Sequence, residues 1–103
     1  MKHVIFLSTY PNKKSAKKVA NQLIKNRLAA CVNLIQISSV YSWKGKLEDT
    51  LEYLVIIKTT TKNKTSLKKM IKSTHPYDVP EIAEIDVASI NKPYLDWLID
   101  STS

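Results

Sequence analysis

Two long segments without proline, joined across a single glycine, constrain the fold of this chain more than any other feature. The first, residues 28–43, reads LAACVNLIQISSVYSW, and the second, residues 47–60, reads LEDTLEYLVIIKTT. Valine, isoleucine, threonine and aromatic residues at this density are typical of β-strands. Gly45 is the only glycine in the sequence, and we expect it at the tip of a hairpin, where a positive φ is needed.

A hairpin of this length extends beyond the body of a small domain. A strand of about 15 residues spans about 50 Å, whereas a domain of this size has a radius of gyration of about 13 Å. We therefore expect the end of the hairpin, with Tyr41, Trp43 and Leu47, to overhang the core. Exposed aromatic side chains and open strand edges favour a partner. We prefer a closed oligomer to the alternative of a ribbon folded back on its own core.

The remaining segments complete an α+β pattern. Residues 4–9 predict a buried strand, and Asn12 is placed to cap a helix whose apolar residues recur at helical spacing. A second helix follows the hairpin and is expected to end before Pro76. The sequence EIAEIDVA then predicts a strand, and Asn91 caps a last helix. The order β-α-β-β-α-β plus a C-terminal helix is the ferredoxin-like pattern, which we expect as a single domain over residues 1–103.

The charge of the chain leaves several partners open. The net charge is +7, and every basic residue except Arg27 is a lysine. A basic domain of this kind is able to bind nucleic acid, acidic membranes or anionic ligands. The alternative is that the lysines only form the solvent-exposed faces of helices, and we prefer this interpretation. An RNA-binding sheet of this fold needs aromatic residues on its central strands, and Phe6 stands alone in the first strand. Nonspecific nucleic-acid binding is therefore the weaker alternative.

The sequence lacks the common motifs of catalysis and nucleotide binding. The glycine-rich loops that bind phosphate need several glycines, and this sequence has one. The sequence also contains no nucleophile elbow, HExxH or CxxC motif. We interpret Cys31 as a core thiol rather than a nucleophile. The lone cysteine excludes an intrachain disulfide, and the N-terminal apolar run is too short for a signal peptide or a membrane span. Both observations predict a cytoplasmic protein.

The segment STHPYDVPEI, residues 73–82, places His75, Tyr77 and Glu81 on a connector stiffened by two prolines. Such stiffness presents polar groups in a reproducible geometry, as a binding site requires. His75 is the candidate metal ligand, because neutral imidazole binds copper and similar divalent ions. Further ligands would come from Asp78, from Glu81 or from a neighbouring subunit. The alternative is a rigid turn that binds nothing.

Five segments, in this order along the chain, resemble the CutA or divalent-cation tolerance proteins. They are RLAACVN (27–33), VYSWKGKLED (40–49), LVIIKTT (54–60), HPYDVPEI (75–82) and YLDWL (94–98). The resemblance extends over nearly the whole chain. It implies a ferredoxin-like subunit in a homotrimer similar to the PII signalling proteins, with long hairpins that reach neighbouring subunits and no enzymatic activity. The family is linked to tolerance of copper and other divalent ions.

The resemblance also implies a site. Residues at motif positions of the family are expected to line a ligand-binding cleft between subunits: Cys31, Tyr41, Trp43, Lys58, Tyr77 and Glu81, with His75 as the metal ligand. Some bacterial members have a cysteine and a second histidine, proposed as copper ligands, where this chain has Ser8 and Thr74. The sequence thus predicts a cytoplasmic homotrimer that responds to copper or another divalent cation. The alternative is a PII-like sensor or adaptor that uses lysines to bind a small anion.

Overall fold

A four-stranded antiparallel sheet and three helices organise residues 2–103, the part of the chain that the computed structural model describes. The strands are β1 (His3–Tyr10), β2 (Cys31–Trp43), β3 (Lys46–Thr60) and β4 (Ala83–Asp86), and the helices are α1 (Lys13–Lys25), α2 (Lys64–Thr74) and α3 (Lys92–Thr102). The sheet order is β2-β3-β1-β4, which confirms the ferredoxin-like α+β fold. None of the helices in this range is long and apolar enough to cross a membrane.

Strands β2 and β3 form the long ribbon that the sequence predicts. Their register pairs Cys31 with Lys58 and Trp43 with Lys46 without interruption. Both residues between them, Lys44 at φ 52° and Gly45 at φ 77°, have positive φ, as a two-residue type I′ turn requires. The chain measures 45 × 25 × 21 Å, and Leu47 near the tip is 79% exposed. The overhang is therefore confirmed.

One face of the sheet is buried beneath α1 and α2. Successive side chains of a strand point to opposite faces, so alternate residues of β1 and β3 enter this core. The fully buried side chains include Val4, Phe6, Val55 and Ile57 from the sheet, with Ala16, Leu23, Leu67 and Ile71 from the helices. These side chains form one hydrophobic cluster, and the two helices that cover it leave their polar sides in solvent.

The opposite face of the sheet, which we call the open face, is also largely apolar. It comprises the other alternate residues: Ile5 and Leu7 of β1, Ile35 and Ile37 of β2, and Leu54 and Ile56 of β3. Helix α3 packs at one end of this face, where the rings of His3 and Tyr94 lie 6.2 Å apart. Elsewhere the apolar side chains remain accessible, with Ile35 47% exposed.

Two predicted strand boundaries and one predicted helix cap differ from the structure. Strand β2 begins three residues later than predicted, because residues 26–30 turn the chain and Arg27 adopts φ 57°. Strand β4 covers four residues rather than eight, since its pairing with β1 extends only from Val4 to Leu7. Helix α3 begins after Asn91 as predicted, but the Asn91 side chain makes no capping hydrogen bond.

Arg27 connects the end of α1 to the end of α3. Its Nε donates a hydrogen bond to the carbonyl of Ser103 at 2.8 Å, and its Nη2 donates one to the carbonyl of Asp100 at 2.7 Å. The last carbonyls of a helix have no partner within the helix, so the only arginine in the sequence satisfies two acceptors at this terminus.

We expect Arg27→Ala to lower the free energy of unfolding by about 1–3 kcal/mol, because it removes two hydrogen bonds that each contribute about 0.5–1.5 kcal/mol. Alanine carries the same backbone strain as arginine at positive φ, so the loss reports the two hydrogen bonds. Chemical denaturation measures it, and Lys25→Ala, which removes an exposed charge at the end of α1, is the matched control. Equal losses in the two variants would contradict this role for Arg27.

Candidate functional site

A groove of about 890 Å³ lies between the overhanging part of the ribbon and the connector that follows α2. The ribbon supplies one wall, and residues 76–81 supply much of the other. The lining residues are Thr9, Ile37, Ser39, Val40, Tyr41, Trp43, Glu48, Glu52, Leu54, Pro76, Tyr77, Asp78, Val79 and Glu81. The stiff connector therefore forms one wall of a groove, as a site-forming segment would.

The groove brings together four of the predicted ligand-binding residues: Tyr41, Trp43, Tyr77 and Glu81. Cys31 and Lys58 do not line it. They face each other across β2 and β3, and Lys58 lies six residues, or about 20 Å, along the strand from Glu52. Cys31 and Lys58 nevertheless belong to the same sheet face as Tyr41 and Trp43, so all four residues point toward the open side of the sheet.

His75 stands beside the groove with both ring nitrogens engaged. The backbone N–H of Tyr77 donates to Nδ1 at 3.0 Å, so Nδ1 carries no proton and Nε2 is the protonated nitrogen. Nε2 then donates to the carbonyl of Thr9 at 2.9 Å. The ring also stacks on Tyr10, with centroids 4.2 Å apart. This arrangement holds the neutral imidazole in one tautomer and one orientation.

A metal ion at His75 would have to replace one of these two hydrogen bonds. Within residues 2–103, no three His, Cys, Asp or Glu side chains are placed to hold an ion together. Ser8 is fully buried, and the Thr74 hydroxyl donates to the carbonyl of Met70 at 2.8 Å. One chain therefore does not supply a closed metal site, and metal binding at His75 with ligands from another subunit stays a prediction.

Glu52 is the residue of this region that the sequence analysis missed. Its carboxylate accepts a hydrogen bond of 2.6 Å from the Tyr77 hydroxyl, and the residue is only 7% exposed. Burial and the contact with Glu52 raise the pKa of Tyr77 above its ordinary 10.0, so the hydroxyl remains a donor at neutral pH. Glu52 thus ties the connector to the ribbon. The available signal was a carboxylate that directly precedes Leu54 and Ile56 in the alternating pattern of one face of β3.

The groove has a charge opposite to that of the chain. Its charged lining residues are Glu48, Glu52, Asp78 and Glu81, with no lysine or arginine among them, although the net charge of the protein is +7. Three aromatic side chains, Tyr41, Trp43 and Tyr77, also line the groove. Carboxylates and the faces of aromatic rings both attract cations.

The two histidines make stability depend on pH. Burial, and then Lys58, lower the pKa of His3 below its ordinary 6.5. Burial also lowers the pKa of His75, outweighing the raising effects of the Thr9 carbonyl and Glu52. Since the unfolded chain then binds more protons at mildly acidic pH, folding is favoured above pH 6.5 and loses stability as pH falls below it.

We therefore expect the free energy of unfolding to stay level above about pH 7 and to fall between about pH 6.5 and 5, above the range where most carboxylates titrate. Chemical denaturation across this interval measures the fall. A double variant, His3→Gln with His75→Gln, should show a flatter profile, whatever its absolute stability. A wild-type profile that is level down to pH 5 would contradict the prediction.

A comparison with protein families identifies the chain. The model of the family described as CutA1 divalent ion tolerance protein matches residues 4–101. The chain belongs to the CutA1 family. The CutA1 resemblance carried by the five segments of the sequence is thereby confirmed, and the ribbon, the groove and the connector lie within the matched residues.

Relatives in this family are similar along almost the full chain. The divalent-cation tolerance protein CutA of Pyrococcus horikoshii is 46% identical over 99 residues, which are 96% of this chain and 97% of that protein. A crystal structure of Pyrococcus horikoshii CutA1 has a TM-score of 0.95 at 45% identity, covering 97% of this chain and 98% of the other. A structure described as the periplasmic divalent cation tolerance protein CutA of Archaeoglobus fulgidus has a TM-score of 0.95 at 32% identity, covering 98% of this chain and 99% of the other.

Other CutA relatives are longer. Protein CutA of Mus musculus is 47% identical over 91 residues, which are 87% of this chain and 51% of the mouse protein. The chain thus spans about half the length of this relative.

Proposed function

We propose that this CutA1 family member is a non-enzymatic homotrimer that responds to divalent cations through its acidic groove. The observation that carries the proposal is the charge of the groove, where all four charged residues are carboxylates in a chain of net charge +7. A cleft lined by one sign of charge raises the local concentration of the opposite ion. The family description, divalent ion tolerance, supports a cation as the ligand.

The donor atoms of the groove are better suited to a weakly held, hydrated cation than to a closed copper site. Carboxylate oxygens suit Mg²⁺, Ca²⁺ and Mn²⁺, whereas copper binds preferentially to imidazole and thiolate. Both nitrogens of His75 are engaged, and Cys31 does not line the groove. Within one chain the residues do not fit copper, so a copper site would need ligands from a neighbouring subunit.

The open face supports the trimer. Its apolar residues occupy β1, β2 and β3, and Ile35 among them remains accessible in the single chain, as does Ile85 of β4 on the same face. An apolar face of this kind requires a cover, and a second and third copy related by rotation supply one without leaving an open end. In such a trimer the ribbon would place Tyr41 and Trp43 against a neighbour. We place the protein in the cytoplasm, where its lone thiol stays reduced.

A metal titration of the intact oligomer by native mass spectrometry tests the proposal, because it reports subunit number and cation occupancy together. We expect three subunits and a cation occupancy that falls in Glu48→Gln with Glu81→Gln. The matched control is Asp86→Asn with Asp100→Asn, which removes the same charge outside the groove and should leave the occupancy unchanged.

His75→Ala separates the two kinds of site. We expect it to retain the trimer and most of the cation binding. If His75→Ala loses the cation while the Glu48→Gln and Glu81→Gln double variant binds it fully, the cation binds at His75 and not at the carboxylates. Loss of copper in His3→Ala alone would show that copper binds near the N-terminus and not in the groove.

The aromatic lining favours a second candidate function, a sensor of a small organic cation. Tyr41, Trp43 and Tyr77 bring three rings to a groove whose charges are all negative, an arrangement that suits a quaternary ammonium group. The small anion considered from the sequence would meet no basic side chain there. Saturable binding of tetramethylammonium, read by tryptophan fluorescence and weakened in Glu81→Gln, would favour this candidate.

A further inference from the structure

The positive charge of the protein is concentrated in one layer. The helix layer, defined as α1, the 3-10 turn Thr61–Asn63 and α2, contains no aspartate or glutamate. Its lysines are Lys13, Lys14, Lys17, Lys18, Lys25, Lys62, Lys64, Lys68, Lys69 and Lys72. All acidic residues of the chain follow residue 47 in the sequence. The helix layer and the acidic groove are therefore separate surfaces of opposite charge.

Most of these lysines are not neutralised within the chain. Glu84 of β4 pairs with Lys64 at 3.4 Å and with Lys68 at 3.2 Å. The remaining lysines of the helix layer have no ion-pair partner among residues 2–103, and all of them are exposed. Their mutual repulsion is unfavourable in the isolated protein, and a polyanion would relieve it.

A shallow depression lies between the two helices, and Lys69 is the lysine in its lining. Helical spacing places Lys14, Lys18 and Lys25 on the side of α1 opposite its buried residues. The depression has a volume of about 490 Å³, and Leu28 and Met70 line it together with six polar residues: Gln22, Asn26, Ser66, Lys69, Ser73 and Thr74. Lysine, serine, threonine, asparagine and glutamine are the side chains that contact phosphate oxygens of nucleic acids.

We propose that the helix layer binds the phosphodiester backbone of nucleic acid without reading its sequence. Lysine is a point charge that neutralises phosphate, whereas the bidentate reading of guanine relies on arginine, and Arg27 is bound to the end of α3. The aromatic platform for RNA is missing from the sheet, but the helix layer is a different surface. The inference goes beyond the cation response and does not depend on the groove.

An acidic membrane is the competing partner for a lysine-rich surface, and the composition of the helix layer disfavours it. Helices that lie on membranes insert tryptophan, phenylalanine or leucine into the lipid. Among the large exposed hydrophobic side chains, only Ile24 belongs to α1 or α2. The layer thus offers charge and hydrogen-bond donors but almost no apolar anchor.

The test uses a short mixed-sequence DNA duplex and the full-length protein, with binding followed by fluorescence anisotropy at several salt concentrations. Each neutralised phosphate contributes about −0.9 to the slope of log affinity against log salt, so four contacts predict a loss of roughly 100-fold between about 50 and 200 mM salt. A variant with Lys18→Gln, Lys25→Gln and Lys69→Gln should make the slope shallower by about 3. The matched control, Lys2→Gln with Lys46→Gln and Lys92→Gln, removes the same charge elsewhere.

The outcomes separate the interpretations. Duplex binding with a steep salt dependence, weakened in the helix-layer variant and retained in the control, supports the proposal. Equal weakening of duplex binding in both variants would show that binding responds to net charge alone and would overturn the proposal. The absence of duplex binding at low salt would also overturn it. Tighter binding to vesicles of phosphatidylserine and phosphatidylcholine than to the duplex would overturn the proposal and would show that the helix layer binds an acidic membrane.

Discussion

Replacing Ile35 with aspartate is expected to abolish assembly. Ile35 lies near the middle of β2 on the open face, and it is 47% exposed in the single chain. A charge at this position is solvated in a monomer but would be buried without a partner between packed sheets, at a cost of several kcal/mol for each subunit. Sedimentation at micromolar concentration is expected to show a trimer for the wild type and smaller species for the variant.

The control is the next residue on the same strand. Gln36 is exposed on the opposite face, so Gln36→Asp adds the same charge at the same strand position without entering the proposed interface. Circular dichroism establishes that each variant is folded before sedimentation is compared. A trimer that persists in Ile35→Asp, or a folded wild-type monomer at this concentration, would contradict the proposed assembly.

Truncation of Trp43 is expected to have the second largest effect. In the single chain Trp43 is 44% exposed at the end of the ribbon, where its removal would cost little. At a subunit boundary it would be buried, and Trp43→Ala should then cost roughly 3–5 kcal/mol, the range for a buried aromatic side chain. Thermal and chemical denaturation of the oligomer measure this loss.

Leu47 supplies the comparison for Trp43. It pairs with Ser42 near the same tip, on the ribbon face opposite to Trp43, and it is 79% exposed. A neighbour packed on the open face would leave it in solvent, so Leu47→Ala should change stability by no more than about 0.5 kcal/mol. If Trp43→Ala keeps both its trimer and its melting temperature, Trp43 is an exposed side chain of the ribbon tip and takes no part in assembly.

The fold was predictable from sequence wherever local signals agree with tertiary packing. The β-branched runs, the lone glycine at a position of positive φ and the helical recurrence of Ala16, Val19 and Leu23 each point to one structure. The boundaries at residues 28–30 were less predictable, because Arg27 adopts a positive φ that its residue type does not favour. Hydrogen bonds to Asp100 and Ser103, far away in the sequence, stabilise that conformation.

The site was predictable only in part, because some of its contacts also join residues that are far apart in the sequence. The prolines of the connector pointed to Tyr77 and Glu81, and the family resemblance added Tyr41 and Trp43; these four residues line one groove. The role of Glu52 depends on a hydrogen bond to Tyr77, 25 residues away. The hydrogen bonds of His75 depend on the backbone of Thr9, 66 residues away. Periodicity and composition contain no information about such distant pairs.

If the protein assembles as proposed, strand β2 at the edge of the sheet makes the newly folded monomer the form that is most open to misassociation. Its residues, Cys31–Trp43, include no charge and no proline, the devices by which edge strands resist pairing with other chains. Correct assembly and misassociation therefore compete for the same monomers. Each requires an encounter between chains, so dilution slows both.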